Sequence, residues 1–154
     1  MDEKFMAAAL ELAREAALDG EVPVGAVVVR NGEIVGRGRN RRETAHRATA
    51  HAEIEAIEDA CRSLGGWRLH ECELFVTLEP CPMCAGACIN ARLRRVVYGA
   101  GDPKAGACGG VCDLMREKWN HHPEVRGGVL ESECAGVLKE FFKNLRTKTV
   151  DKSE

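Results

Sequence analysis

Two short stretches carry residue types that can do chemistry together: His51-Ala52-Glu53 and Pro80-Cys81-Pro82-Met83-Cys84. One imidazole and two thiolates fill three corners of a tetrahedral zinc ion and leave the fourth for water, the catalytic rather than the structural arrangement. A bound divalent cation lowers the pKa of that water to about 7. The C-x-x-C spacing puts both sulfurs on one ion when Cys81 stands at the mouth of a helix, where backbone N–H groups and the helix dipole favour thiolates. Glu53 follows His51 by two positions, and inside a regular helix such side chains diverge by about 200°. The pair therefore suits a first helical turn, with His51 on the metal and Glu53 off it. Glu53 would then take a proton from the water and return it to a substrate, which needs a carboxylate within hydrogen-bond distance. Taken singly, Cys81 and Cys84 equally suit a structural zinc site or a thioredoxin-like redox pair, and His51 a surface or capping histidine. The joint pattern points to an enzyme.

The elements that must position these groups follow from periodicity and turn signals. Residues 3–19 read as an amphipathic helix, with Phe5, Ala9, Leu12 and Ala16 at helical spacing and Asp19-Gly20 as its end. Strands at 22–29 and 33–39 flank Asn31-Gly32, a strong two-residue hairpin signal. A helix at 51–64 places Ile54, Ile57 and Cys61 on one face and stops at Gly65-Gly66. A strand at 73–78 delivers its end to Pro80-Cys81, and a short helix rich in small residues follows at 82–91. Beyond it come a strand at 94–99, a glycine-rich loop holding Asp102, Pro103 and Lys104, and a helix near 110–118. A short strand at 127–130 and a long helix at 131–146 complete the order. This succession predicts a three-layer α/β/α fold: a mixed five-stranded sheet with helices on both faces, an antiparallel opening hairpin and parallel crossovers afterwards. Ligand sites in such sheets lie at the carboxyl ends of strands, where Pro80-Cys81 falls.

The 154 residues suit one domain spanning 1–154, with a hydrophobic share of 45% and a charged share of 30% that describe a soluble globular protein. No apolar run approaches the ~20 residues of a membrane helix. The first ten residues carry two acids beside one lysine, a poor secretory signal, which points to the cytoplasm. With an adequate core the eight cysteines need not be a disulfide scaffold. Cys61, Cys72 and Cys134 read as buried thiols, and Cys88, one turn after Cys84, as packing under the site. Cys108 and Cys112 leave open a second metal or a redox pair. The net charge of −2 argues against indiscriminate polyanion binding, yet residues 30–47 contain six arginines and two acids. Arg92, Arg94, Arg95 and Lys104, then Lys139, Lys143, Arg146 and Lys148, form two further basic groups. Local patches of this kind can bind a phosphate backbone.

His-Ala-Glu followed by Pro-Cys-x-x-Cys resembles the signature of the zinc-dependent nucleobase and nucleoside deaminases. The likeness extends along nearly the whole chain. GEVPVGAVVV starting at Gly20, Asn40, TAHAEI (49–54), TLEPCPMCAGA (77–87), VVYGAGDPKAGA (96–107), Asn120-His121, GVL and EC within 128–134, and EFF (140–142) resemble the bacterial tRNA-specific adenosine deaminases in that order. The resemblance implies a cytidine-deaminase-like fold, a homodimer, and hydrolysis of the wobble adenosine of an arginine tRNA anticodon loop to inosine. It implies that His51, Cys81 and Cys84 hold zinc and that Glu53 shuttles protons. Asn40 would hydrogen-bond the flipped base, Val24 would form an apolar side of the purine site, and Ala52 with the Pro80-Cys81 backbone would line it. Asp102, Lys104 and Asn120 would meet the neighbouring anticodon nucleotides, with Phe142 and Lys143 closing the cleft. Two positions depart from the pattern: Gly110 replaces a serine, and His122 stands where an arginine is common. The alternatives are a deaminase of a free base or nucleotide such as guanine or cytosine, and a zinc-stabilised RNA-binding module without catalysis.

Overall fold

Strands β1 (Gly25–Arg30), β2 (Glu33–Arg39), β3 (Cys72–Leu78), β4 (Arg95–Ala100) and β5 (Glu124–Arg126) form one sheet in the order β2-β1-β3-β4-β5. The structure is a computed structural model and describes residues 1–152. β1 runs antiparallel to both β2 and β3, while β3, β4 and β5 are parallel. The hairpin turns where its sequence predicts, with φ of 49° at Asn31 and 78° at Gly32. A two-residue turn matched to strand twist needs that left-handed backbone at both positions.

Helices α1 (Asp2–Leu18), α2 (Arg42–Ala45), α3 (Ala52–Leu64), α4 (Pro82–Asn90) and α5 (Glu131–Lys152) complete the fold, and the long ones cover the sheet. Successive strand side chains alternate between faces, so β1, β3 and β4, buried on both sides, read as continuous apolar runs. Val27, Val29, Phe75 and Val97 pack with Phe5, Met6 and Leu10 of α1 and Cys134 of α5. Ala26, Val28, Leu74, Val76 and Val96 pack on the other face with Ala52, Ala56 and Ala60 of α3 and Ala85, Cys88 and Ile89 of α4. The result is the expected three-layer architecture. Among the described residues no helix is long and apolar enough to cross a membrane.

Two sequence expectations are corrected. The helix near 110–118 is absent apart from a single 3-10 turn at Leu114–Arg116. Its backbone amides go elsewhere: Val111 and Cys112 donate to the Gly106 carbonyl and Gly110 to the Glu79 carboxylate, so no i−4 ladder forms. The last strand lies at Glu124–Arg126 rather than 127–130. A Cβ at Gly127 would stand 2.4 Å from the Tyr98 ring, and Gly128 has φ of 86°, so the chain leaves the sheet there. α5 also continues past 146, because no breaker interrupts it before Lys152. The short α2 was not anticipated.

Candidate active site

Both halves of the motif sit at helix starts on one side of the sheet. His51 is the N-cap of α3, with φ −76° and ψ 153°, and Cys81 is the N-cap of α4, with φ −74° and ψ 174°. Neither side chain caps its own helix, which leaves ring and thiol free to turn toward each other. Pro82 occupies the first turn of α4, where its missing N–H costs no hydrogen bond. The height of α3 above the sheet is set by glycine: a Cβ at Gly38 would lie 2.2 Å from the Ala52 carbonyl oxygen, and one at Gly36 2.4 Å from that of Ala56. Only a strand without side chains at these points lets the helix backbone rest directly on β2, and it thereby fixes where Glu53 stands.

The His51 Nδ1 lies 3.7 Å from the Cys81 Sγ and 3.5 Å from the Cys84 Sγ. All three donor atoms fall within 4.8 Å of one another. Bond lengths of about 2.3 Å to sulfur and about 2.0 Å to nitrogen at a tetrahedral angle place S and N about 3.5 Å apart, so the trio fits a zinc-sized tetrahedral ion. The protonation balance agrees. Hydrogen bonding to Cys84 first, and then to His51, pushes the Cys81 thiol down to about 4, while the bond to Cys81 raises His51. The Cys84 thiol is raised by the same contact with Cys81, since the pair shares a proton. A metal ion replaces such shared protons. Glu53 is 4% exposed. Burial pushes its carboxyl up to about 7, helped by the neighbouring Cys81 charge, so at neutral pH it can both take up and release a proton.

These groups form the floor of a cavity of about 440 Å³. Of the residues singled out from sequence, His51, Cys81, Glu53, Val24, Asn40, Ala52, Asp102, Lys104 and Phe142 line it. Cys84 lies beneath, fully buried. Pro80 is buried beside the wall, with its carbonyl accepting from the Ala107 amide at 2.8 Å. Lys143 is exposed on α5 and is not part of the lining. Asn120 is not among the residues that line the cavity, and its neighbour His121 bonds the Leu93 carbonyl at 2.7 Å, just before β4 begins. Cys81 and Cys84 instead follow the carboxyl end of β3, which runs parallel to β4. Val22, Arg42, Leu78, Glu79, Gly101, Ala105 and Leu138 line the cavity without having been singled out.

Two buried carboxylates hold the rim. Glu21, 1% exposed, accepts from the Glu43 amide at 3.1 Å and from the Thr44 amide and hydroxyl at 2.7 and 2.9 Å, which pins α2. Burial pushes the Glu21 carboxyl up, but the donations from Thr44 and Glu43 together outweigh it and hold it below the usual range. Glu79, 4% exposed, accepts from the amides of Asp102, Cys108 and Gly110 at 2.9, 3.0 and 2.9 Å. A signal for both existed in the sequence, an acid bordering an apolar run and followed closely by proline. Asn40 is locked too, donating to the Val22 carbonyl at 3.1 Å and accepting from the Arg42 amide at 3.2 Å. Each use leaves one hydrogen and one lone pair of its amide for a ligand.

Several arginines expected to serve phosphates are committed elsewhere: Arg39 pairs with Glu15 and Asp19, Arg47 with Glu55, Arg94 with Glu73, and Arg95 with Asp2 and Glu73. Arg42 and Lys104 are the cations at the cavity itself. The departure at Gly110 has a steric reason, because a Cβ there would lie 2.2 Å from the Asp102 carbonyl oxygen. His122 bonds the Glu117 carbonyl, away from the site.

Residues 1–146 match the MafB19-like deaminase family. A tRNA-specific adenosine deaminase of Bacillus subtilis is 53% identical over 148 residues, covering 96% of this chain and 92% of that protein. A solved tRNA:A34 deaminase, studied for A-to-I editing at the wobble position of transfer RNA, superposes with a TM-score of 0.83 at 48% identity. That match covers 88% of this chain and 99% of the other. The guanine deaminase of Nitrosomonas europaea is more distant, with a TM-score of 0.77 and 29% identity over 90% of this chain and 83% of that one. On the His/Cys/Cys trio that could hold a metal, the buried glutamate beside it and this extent of likeness, the chain belongs to the deaminase family of the tRNA-specific adenosine deaminases.

Proposed function

We propose that this protein hydrolyses the wobble-position adenosine of a tRNA anticodon loop to inosine, releasing ammonia. The observation that carries the reading is the cavity floor, where His51, Cys81 and the buried Glu53 line one pocket and Cys84 completes, from beneath, a trio of donors that could hold a metal. His51, Cys81 and Cys84 would hold zinc, which when bound supplies a Lewis acid that makes water nucleophilic at neutral pH. Glu53 moves the proton, from water to the adenine ring nitrogen, and its burial tunes it for that exchange. Asn40 offers its remaining amide hydrogen and lone pair to the base edge. Val24 and Ala52 give the ring an apolar seat, next to the Pro80-Cys81 backbone. An anticodon-loop base is unpaired, so turning it into a cavity costs less than extraction from a duplex.

At the rim, Asp102, Lys104 and Arg42 face the flanking nucleotides, and Phe142 with Lys143 covers the opening from α5. The reading extends to an arginine tRNA as substrate, a homodimer and a cytoplasmic site of action, each supported by family likeness. The test is an anticodon stem-loop with adenosine at the wobble position, incubated with zinc-loaded protein and followed for inosine by mass. Free adenosine, adenine, guanine and cytosine run alongside. Inosine in the RNA alone is the expected result. Turnover of a free base alone would overturn the substrate assignment and leave the metal chemistry standing.

A further inference from the structure

We propose that Glu79 is a positioning residue: its carboxylate holds the loop 101–110 in the one arrangement that presents Asp102 and Lys104 to a bound substrate. The inference rests on the function proposed above. One carboxylate oxygen takes the Asp102 amide at 2.9 Å, and the other takes the amides of Cys108 and Gly110 at 3.0 and 2.9 Å. The loop is thus gathered at both its ends onto a single side chain. Asp102 passes the constraint on, its Oδ1 accepting from the Lys104 amide at 3.0 Å and the Ala105 amide at 3.2 Å.

The fit around Glu79 is closed by glycine. A Cβ at Gly106 would stand 2.2 Å from its Oε2, and one at Gly110 3.0 Å from both oxygens. A loop of ordinary residues could not wrap a carboxylate this tightly. Among the described residues no cation forms an ion pair with Glu79, so backbone N–H groups alone satisfy it. Such donations to a carboxylate are about twice as strong as neutral ones and direct the backbone accordingly. Glu79 also stands two positions before Cys81, and its own amide donates to the Ala100 carbonyl at 2.8 Å. One segment of chain therefore carries a metal donor and anchors the substrate-facing loop, which keeps the two at fixed separation.

Glu79→Gln keeps the side-chain size but turns an NH2 against at least one backbone N–H. Gly106→Ala disturbs the same contact from the loop side by displacing loop or carboxylate, without changing the chemistry of Glu79. With zinc-loaded enzyme and the adenosine stem-loop, KM is expected to rise about tenfold in both variants while kcat changes less than about threefold. Metal content should match the parent. In RNA-free, zinc-loaded protein, the amide resonances of Asp102, Cys108 and Gly110 should move in Glu79→Gln. An unchanged KM in folded, metal-replete variants, or unmoved resonances at those three amides, overturns the proposal. Should the parent enzyme ignore the stem-loop, the functional reading fails, and the resonances still decide whether Glu79 orders the loop. A purely stabilising role would lower the melting temperature and leave KM alone.

Discussion

The floor of the cavity presents its groups from two helix starts, whereas the rim consists of short segments tied down through side chains. On the floor, His51 and Glu53 open α3, and Cys81 and Cys84 open α4. Their directions follow from helix geometry and from how closely α3 rests on Gly36 and Gly38. At the rim, the single-turn α2 with residues 40–41 before it and the loop 101–105 lie outside the long elements, and buried carboxylates hold them: Glu21 the one, Glu79 the other. The two regions divide the labour. A floor error misplaces reacting atoms and shows in kcat, while a rim error misplaces the substrate and shows in KM.

The sharpest break is Glu53→Ala, which removes the proton carrier and leaves the ligands. Turnover of the stem-loop should fall about a thousandfold, with metal content by atomic absorption unchanged. Near-normal turnover would sink the role given to Glu53. Gly38→Val comes next, because it strikes the floor from outside the cavity by lifting the first turn of α3. A displacement near 1 Å costs about a hundredfold in kcat, and a folded variant with the parent's kcat would show that α3 tolerates a different height. Chelation tests the floor as a fold element: apo protein should melt lower and regain its midpoint with zinc, because a ligand of the native state stabilises it by mass action.

Rim effects should be smaller. Glu21→Gln loosens α2 and should raise KM severalfold with kcat nearly intact. It also has a pH signature. A carboxyl held below its usual range when folded stabilises the protein at pH above about 4.3, and that contribution disappears as pH falls through the lower folded value. Melting temperatures of parent and Glu21→Gln should therefore differ at pH 7 and converge toward pH 3, and a constant gap would refute the assignment. The smallest effect belongs to Arg42→Ala, which should weaken RNA binding modestly and flatten its log–log salt dependence by about one unit. Arg39→Ala should leave that slope alone, because Arg39 is paired with Glu15 and Asp19.

The floor was legible in sequence because each half of it is local. Cys81 and Cys84 are spaced for one helical turn, and His51 and Glu53 fall at a helix start, so residue type and spacing already state the ligand geometry. The two cores were legible for the same reason, since Val27-Val28-Val29 and Leu74-Phe75-Val76 can only alternate between faces. The loop at 106–112 was not. Sequence suggests a helix near 110–118, but the amides of Cys108 and Gly110 go to a carboxylate some thirty positions earlier, and no local pattern encodes that. His121 shows the same dependence on tertiary structure, since its ring meets the Leu93 carbonyl twenty-eight positions earlier.

By itself, then, the sequence determined the donor set, the helix starts that aim it, the hairpin and the mixed sheet, because hydrogen bonding and hydrophobic period act over a few residues. Only the tertiary structure decided which buried acids would hold the rim, which arginines would be spent on ion pairs, and where the loop after β4 would run. Those outcomes depend on pairs far apart in the chain, and a buried polar group must find whatever partner the completed fold brings to it.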